Sequence, residues 1–210
     1  MKVVMRSMRS PQELLTSELK EIYSAERQLS RVLPRVAKQV GSPRLREMLD
    51  QRREQGAALI EQLDDAFEEM NVSKGRQKNI AAEGLIEDMN QHLDAVDDER
   101  FRDPLLLASM QKIEHYCIAA WGTAAAMGRL LKQQKAVQAM EQVLNEGKEF
   151  DNEMTRLAEE EVNPRMIEGE EEEGAEDEEQ EEEEDEDEEE QGRQQESSRG
   201  RRSGSRRQSR

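Results

Sequence analysis

The sequence predicts an all-α protein, a bundle of four long helices and one short helix. Apolar residues recur at alternating steps of three and four in four long segments, which is the spacing of an amphipathic helix. No segment shows the alternation of β-branched and polar residues that is typical of a strand, and aromatic residues make up only 3% of the chain. Helices with one apolar face pack against each other, so these observations favour a bundle.

The first helix is predicted over residues 11–40. Ser10 is a suitable N-cap, and Pro11 is favoured at the first helical position. Pro34 lies inside the apolar pattern, and we expect it to kink the helix rather than end it, because the apolar face continues beyond it. The Gly-Ser-Pro sequence at 41–43 ends this helix and starts the next.

The second helix carries its apolar face over 45–70. A polar loop at 71–79 and a short amphipathic helix at 85–96 follow. This connection is long enough to cross the bundle, so it permits a ferritin-like four-helix bundle with the short additional helix in the crossover. The third long helix is predicted at 104–131 and the fourth at 137–158.

The C-terminal segment 166–210 is predicted to be a disordered tail, because it has almost nothing apolar to bury. Residues 168–190 contain nineteen Asp and Glu and no basic residue, whereas 191–210 contain seven Arg and one Glu. The whole chain carries a net charge of -18, which leaves only -5 for the residues before the tail. We therefore expect an N-terminal extension (1–10), a helical bundle (11–165) and this tail.

The tail has two interpretations. It can act as a solubilising extension whose acidic and basic blocks attract each other, which we favour. Alternatively, the Arg/Ser block binds nucleic-acid phosphates and the acidic block binds basic partner proteins. The tail has no aromatic residues for stacking and no recognised binding fold, which argues against specific nucleic-acid binding.

The single cysteine, Cys117, cannot form an intramolecular disulfide, which suits a reducing compartment. The N-terminal residues are too few and too polar for a signal peptide, and no apolar run approaches the roughly 20 residues of a membrane span. We expect a cytoplasmic protein without a membrane segment.

Each long apolar face is interrupted near its middle by one polar residue: Glu26, Arg52, Glu114 and Asp151. Because each lies near the middle of its helix, we predict that the four side chains meet in one layer of the core. Carboxylates from facing helices build di-iron and di-manganese sites, typically with histidines, but no histidine lies on these faces. We favour a buried polar cluster in which Arg52 replaces the metal charge, because one guanidinium can bind two carboxylates.

Two alternatives stay open. Any one of these side chains can instead reach solvent. The protein can also be a metal-binding oxidase of the ferritin-like superfamily that uses iron or manganese. Its ligands would be Glu26, Glu114 and Asp151, supplemented by Glu146, Cys117 or His115. We expect the protein to bind no cofactor, and we assign no catalytic residue.

The residues near the cluster have simpler roles. His115 is expected at the edge of the core, hydrogen-bonded to a neighbour, and His92 at the surface. Cys117 is expected to be a small buried apolar residue rather than a reactive thiol. Trp121 and Tyr116 are expected to pack in the core and at its rim.

Two blocks resemble the YciE/YciF-type bacterial ferritin-like family. SELKEIYSAERQLSRVLPRVA (17–37) is similar to the family's EL.D.Y.AE.QL...LP, and QKIEHYCIAAWG (111–122) to its VEHYEIAAYG. The resemblance covers about residues 13–160. It implies a ferritin-like fold of four long helices and one short helix, a homodimer and an association with bacterial stress responses.

The resemblance also implies a dimetal site of which this chain keeps only part. Glu26, Glu114 and Asp151 match family ligands. Four other ligand positions are changed, and they hold Arg52, Gln55, Cys117 and Gly147. Arg52 stands where the family's HLEET motif has its histidine. We therefore predict a degenerate metal site in a non-catalytic stress-response or interaction protein.

Overall fold

The computed structural model describes residues 8–167, which form five α-helices. They are α1 (Pro11–Val36), α2 (Pro43–Glu69), α3 (Ile80–Asp94), α4 (Arg102–Leu130) and α5 (Gln134–Leu157). α5 continues as a π-helical turn over Ala158–Val162. No strand occurs between residues 8 and 167, so the predicted all-α fold is confirmed. The predicted tail lies almost entirely outside the described residues.

Three helices begin at a residue whose side chain caps them. The hydroxyl oxygens of Ser10 and Ser42 and the amide oxygen of Asn79 each accept a backbone N–H three residues later. Pro11 and Pro43 occupy the first positions of α1 and α2, where no intrahelical donor is needed.

α1 continues through Pro34 but ends two residues later at Val36, four residues before the predicted end. Proline cannot donate a backbone hydrogen bond, which weakens the turn around it. The chain then tightens into a 3-10 turn over Ala37–Gln39.

α4 begins at the end of the bundle where α1 meets α2. The carboxylate of Asp103 accepts the backbone N–H groups of Gly41, at 3.0 Å, and of Ser42, at 2.6 Å. Because α2 starts at this same end, α2 and α4 run in the same direction, and α3 carries the chain back between them. This is the predicted ferritin-like crossover.

The four long helices enclose the core. α1 packs against α2 and α4, and α5 packs against the same two helices from the other side, while α3 covers α1 and α4. The buried faces of α1, α2 and α4 follow the predicted positions.

The buried face of α5 matches the predicted one only in part: Met140, Gly147, Met154 and, just beyond the helix, Ala158 are buried as predicted. Leu144 and Asp151 were expected to face the core, but both are only half-buried, whereas Val143 and Phe150 are buried. At these steps the buried residue is the one before the predicted position, so the face turns by less than the roughly 100° of one full residue. Burying the phenylalanine ring removes more apolar area from water than burying a carboxylate side chain would, so the helix turns Asp151 toward the rim.

Among residues 8–167, no helix is both long enough and apolar enough to cross a membrane.

Candidate functional site

Arg52 lies in the middle of α2 and points into the centre of the bundle. Its side chain is 0% exposed, and it is among the largest fully buried side chains of the described residues. A buried charge requires partners that replace its water, because desolvation of an ion is costly.

Glu26 from α1 and Glu114 from α4 supply these partners. Nη1 and Nη2 of Arg52 donate to the two carboxylate oxygens of Glu26 at 3.0 and 3.1 Å. Nε donates to Oε2 of Glu114 at 2.7 Å. The guanidinium therefore joins three helices through charge-assisted hydrogen bonds. We call Arg52, Glu26 and Glu114 the core ion cluster.

Two further side chains of α4 contact the core ion cluster. The guanidinium carbon of Arg52 lies 5.3 Å from the centroid of the Trp121 ring, within the range of a cation–π interaction. Nη2 of Arg52 lies 3.9 Å from Sγ of Cys117. Both α4 residues are buried, so the guanidinium is enclosed by apolar surface where it is not hydrogen-bonded.

Two glycines make room for these large groups. A Cβ atom at Gly56 would lie 2.7 Å from Oε2 of Glu26 and 3.2 Å from Nη1 of Arg52. A Cβ atom at Gly147 would clash with the Trp121 ring and lie 2.7 Å from Oε1 of Glu114. The cluster fits the core only because both positions lack a side chain.

The charges in the core ion cluster are unequal, with one cation and two carboxylates. Burial alone would lower the pKa of Arg52, but the carboxylates of Glu114 and Glu26 hold it well above its ordinary value. Burial raises the pKa of Glu114, with Glu26 and Asp151 adding to the rise and Arg52 opposing it. Oε1 of Glu114 is buried and accepts no hydrogen bond from the described residues.

Cys117 is a buried thiol in this environment. Burial raises its pKa well above the ordinary value, and the nearby charge of Glu26 raises it further. The thiol is therefore protonated at neutral pH, as expected for a structural cysteine.

Asp151, the fourth residue of the predicted cluster, lies at its rim. Its Oδ2 is 3.0 Å from Nε2 of His115, and its side chain is 19% exposed. No ion pair joins Asp151 to Arg52 within residues 8–167. The structure thus brings three of the four predicted residues together. The orientation of α5, which buries Phe150, explains the position of Asp151.

The two histidines and Tyr116 lie outside the core ion cluster. His115 is exposed and hydrogen-bonded to its neighbour Asp151, and His92 is exposed with Asp88 3.6 Å away. Tyr116 is half-buried, and its hydroxyl accepts a hydrogen bond from Asn79. The contact between Trp121 and Arg52 was missed, as was the need for glycine at 56 and 147. The signal was present, since a glycine on the buried face of a helix is costly and indicates a close approach.

The dimetal centre implied by the family resemblance does not fit these residues. The guanidinium of Arg52 fills the space between Glu26 and Glu114 and binds both carboxylates. Its fixed positive charge repels a metal cation. At Gly147, where the family resemblance places an inward glutamate, the Trp121 ring leaves no room for a side chain.

Comparison with known proteins places the chain in a family. Residues 10–167 match the family described as a domain of unknown function, DUF892. The chain belongs to the DUF892 family. The resemblance to the YciE/YciF-type family is confirmed, because Protein YciF of Escherichia coli K12 is 34% identical over 160 residues, which cover 76% of this chain and 96% of that protein.

Solved structures agree with this DUF892 assignment. The crystal structure of the E. coli stress protein YciF matches with a TM-score of 0.71 and 34% identity, over 74% of this chain and 99% of that one. YcfI from Rhodopseudomonas palustris matches with a TM-score of 0.69 and 28% identity, over 71% and 96% of the two chains. A Xanthomonas campestris protein, at 18% identity and a TM-score of 0.58, shares the fold over 71% of this chain and 92% of that one.

Proposed function

We propose that this DUF892 protein is a non-catalytic stress-response or interaction protein. In this proposal the core ion cluster occupies the place where metal-binding relatives would hold metal ions. The observation that carries the proposal is the position of the Arg52 guanidinium between Glu26 and Glu114. A stress-related role is supported by the similarity to the E. coli stress protein YciF.

The core ion cluster suits a structural role better than a catalytic one. Its three side chains are at most 1% exposed, so a substrate in solvent cannot reach them. A buried ion pair adds little net stability, because desolvation offsets much of the Coulomb attraction. We infer that the cluster instead fixes how α1, α2 and α4 align, since only one register satisfies the guanidinium.

Metal analysis tests this proposal. The full chain is loaded with Fe²⁺ or Mn²⁺ under anaerobic conditions, excess metal is removed, and bound metal is measured by elemental analysis. We expect far less than one ion per chain. Stoichiometric metal would overturn the proposal and favour the alternative, an iron or manganese oxidase, for which loss of the oxidase rate in Glu114→Ala would be the next test.

We further propose a homodimer that forms through the outer face of α4. Residues 116–128 contain no charged residue, although several of them reach solvent. Ile118, Met127 and Leu144 line an open groove beside this face, in which Lys148 is the one charged lining residue among residues 8–167, and Leu130 is 79% exposed. Two copies that each carry a net charge of -18 repel each other, so an uncharged face is where they can meet.

Sedimentation analysis tests the homodimer. We expect the wild-type chain to be a dimer and Ala126→Glu, which places a charge on the α4 face, to be a monomer. Ala57→Glu, at an exposed position of α2, is the matched control and should leave the dimer intact. A wild-type monomer would contradict this proposal. The cytoplasmic location and the interactions of the tail stay predictions.

A further inference from the structure

Trp121 occupies the place where a side chain from α5 would enter the centre of the bundle. A Cβ atom at Gly147 would clash with Cζ3 of the indole ring and lie 3.3 Å from Cη2. Real Cβ atoms essentially never come within 3.0 Å of another group. While the ring keeps this position, residue 147 can therefore carry no side chain at all.

The indole ring has little freedom to move away. Trp121 is 1% exposed, and the core around it is packed. The guanidinium of Arg52 lies over the ring, so any displacement of the indole would also remove a contact of the buried cation. The positions of the two side chains depend on each other.

We propose that Trp121 is a positioning residue that closes the centre of the bundle to metal ions by excluding any ligand at position 147. Arg52 supplies the charge that replaces the metal, and Trp121 fills the space on the α5 side. This inference rests on the proposed function and adds a second, steric barrier to the electrostatic one.

Restoring the missing ligands alone would not restore a metal site in this chain. Replacing Arg52, Cys117 and Gly147 by the residues of the family motif is not sufficient, because the new glutamate at 147 meets the indole ring. The family motif VEHYEIAAYG has tyrosine at the position of Trp121. Tyrosine lacks the atoms Cζ3 and Cη2 that would clash with a side chain at 147.

Two variants of the full chain test this claim with Mn²⁺ as the probe. The first is R52H/C117E/G147E, which retains Trp121, and the second adds W121Y. Bound Mn²⁺ is measured by elemental analysis, and Tm is measured with and without Mn²⁺. We expect metal and a higher Tm with Mn²⁺ only in the second variant. Equal Mn²⁺ content in the two variants, including none in either, overturns the inference.

A second test uses no metal and different variants, so it can be carried out even if R52H/C117E/G147E fails to fold. We measure the unfolding equilibrium of G147A, W121L and the double variant W121L/G147A. The conflict with the indole ring predicts that G147A lowers the folding equilibrium constant by about tenfold or more in the wild-type background. The effect should be smaller in the W121L background, where only the 2.7 Å approach to Oε1 of Glu114 remains. An equal effect of G147A in both backgrounds overturns the inference.

Internal controls separate this effect from general properties of glycine. G122A is the matched control on a packed helix, because its Cβ would lie 3.9 Å from Leu144, an ordinary contact distance. Trp121 is the only tryptophan of the chain, so its fluorescence reports the position of the ring directly. We expect the wavelength of maximum tryptophan emission to change in G147A and to stay unchanged in G122A.

These experiments distinguish the two proposals. Stoichiometric metal in the wild-type chain would overturn the proposed function, whatever the variants do. A metal-free wild type combined with Mn²⁺ binding by R52H/C117E/G147E would overturn only the role of Trp121.

Discussion

Arg52 binds Glu26 through two parallel hydrogen bonds, one from each terminal nitrogen of the guanidinium to one oxygen of the carboxylate. The distances are 3.0 and 3.1 Å, and the side chains are 0% and 1% exposed. This bidentate geometry between α2 and α1 is completed by Glu114 from α4. Replacing these charged side chains should change the stability of the bundle by measurable amounts.

Removing the cation should destabilise the bundle more than removing all three charges. Arg52→Leu leaves two carboxylates buried without a partner, and we expect a loss of about 3–5 kcal/mol in the free energy of unfolding. The triple variant E26Q/R52L/E114Q buries no charge at the cluster and should lose less. Urea denaturation measures both.

The adjacent arginine provides the control for this series. Arg53 pairs with Asp50 at 3.9 Å, and both side chains are substantially exposed, so Arg53→Leu should change stability by about 1 kcal/mol or less. If R52L were as stable as R53L, the buried guanidinium would have no energetic role.

Gly56 should not tolerate even a methyl group. Alanine is favoured over glycine inside a helix by about 1 kcal/mol, but at position 56 its Cβ would lie 2.7 Å from Oε2 of Glu26. We expect Gly56→Ala to destabilise the protein by about 1–3 kcal/mol, the range for overpacking. Beyond its own helical turn, a Cβ atom at Gly84 would have no neighbouring atom of residues 8–167 within 4 Å, so Gly84→Ala should stabilise. Thermal unfolding measures both variants. A change of Tm with the same sign in Gly56→Ala and Gly84→Ala would contradict this prediction.

Cys117 should be unreactive in the folded protein. The thiol is buried, and burial raises its pKa well above the ordinary value, with Glu26 adding to the rise. Labelling by iodoacetamide at pH 8 therefore requires opening of the core, and we expect it to be roughly 100-fold slower than in denaturant. Because Cys117 is the only cysteine, mass spectrometry gives the rate directly. Fast labelling without denaturant would contradict the buried position.

Glu114 should make the stability of the protein depend on pH above pH 4.5. Burial raises the pKa of Glu114 above 4.5, which means that the folded state holds this proton at a pH where the unfolded state has released it. The free energy of unfolding contributed by Glu114 therefore falls as the pH rises from 4.5 through the raised pKa, and is constant above it.

The difference between the wild type and Glu114→Gln isolates this contribution, because glutamine does not titrate. Unfolding is measured in steps from pH 4.5 upward, with Glu47→Gln at an exposed position of α2 as the control for loss of one negative charge. A parallel pH dependence in the wild type and E114Q would mean that Glu114 does not titrate in this way.

The sequence was sufficient to predict the fold and most of the core ion cluster. The alternation of three and four residues identified the buried faces of α1, α2 and α4, and with them the depth of Glu26, Arg52 and Glu114. These three positions are fixed by long helices with many apolar neighbours, so an error of one or two residues at a helix end does not move them.

The sequence could not predict the placement of Asp151 or the contact of Trp121 with Arg52. On α5, apolar residues occur on both sides of the predicted face, and the choice between burying Phe150 and Asp151 depends on the neighbouring helices. The cation–π contact joins residues on different helices, so its distance depends on how the helices pack. Periodicity along one helix contains no information on that distance.

The clash between the indole ring of Trp121 and any side chain at 147 also limits how sequences of the DUF892 family can diverge. A mutation that introduced tryptophan at 121 could survive only in a lineage that had already lost the side chain at 147. Aligned family members should therefore show covariation between these two columns, with tryptophan at the first accompanied by glycine at the second.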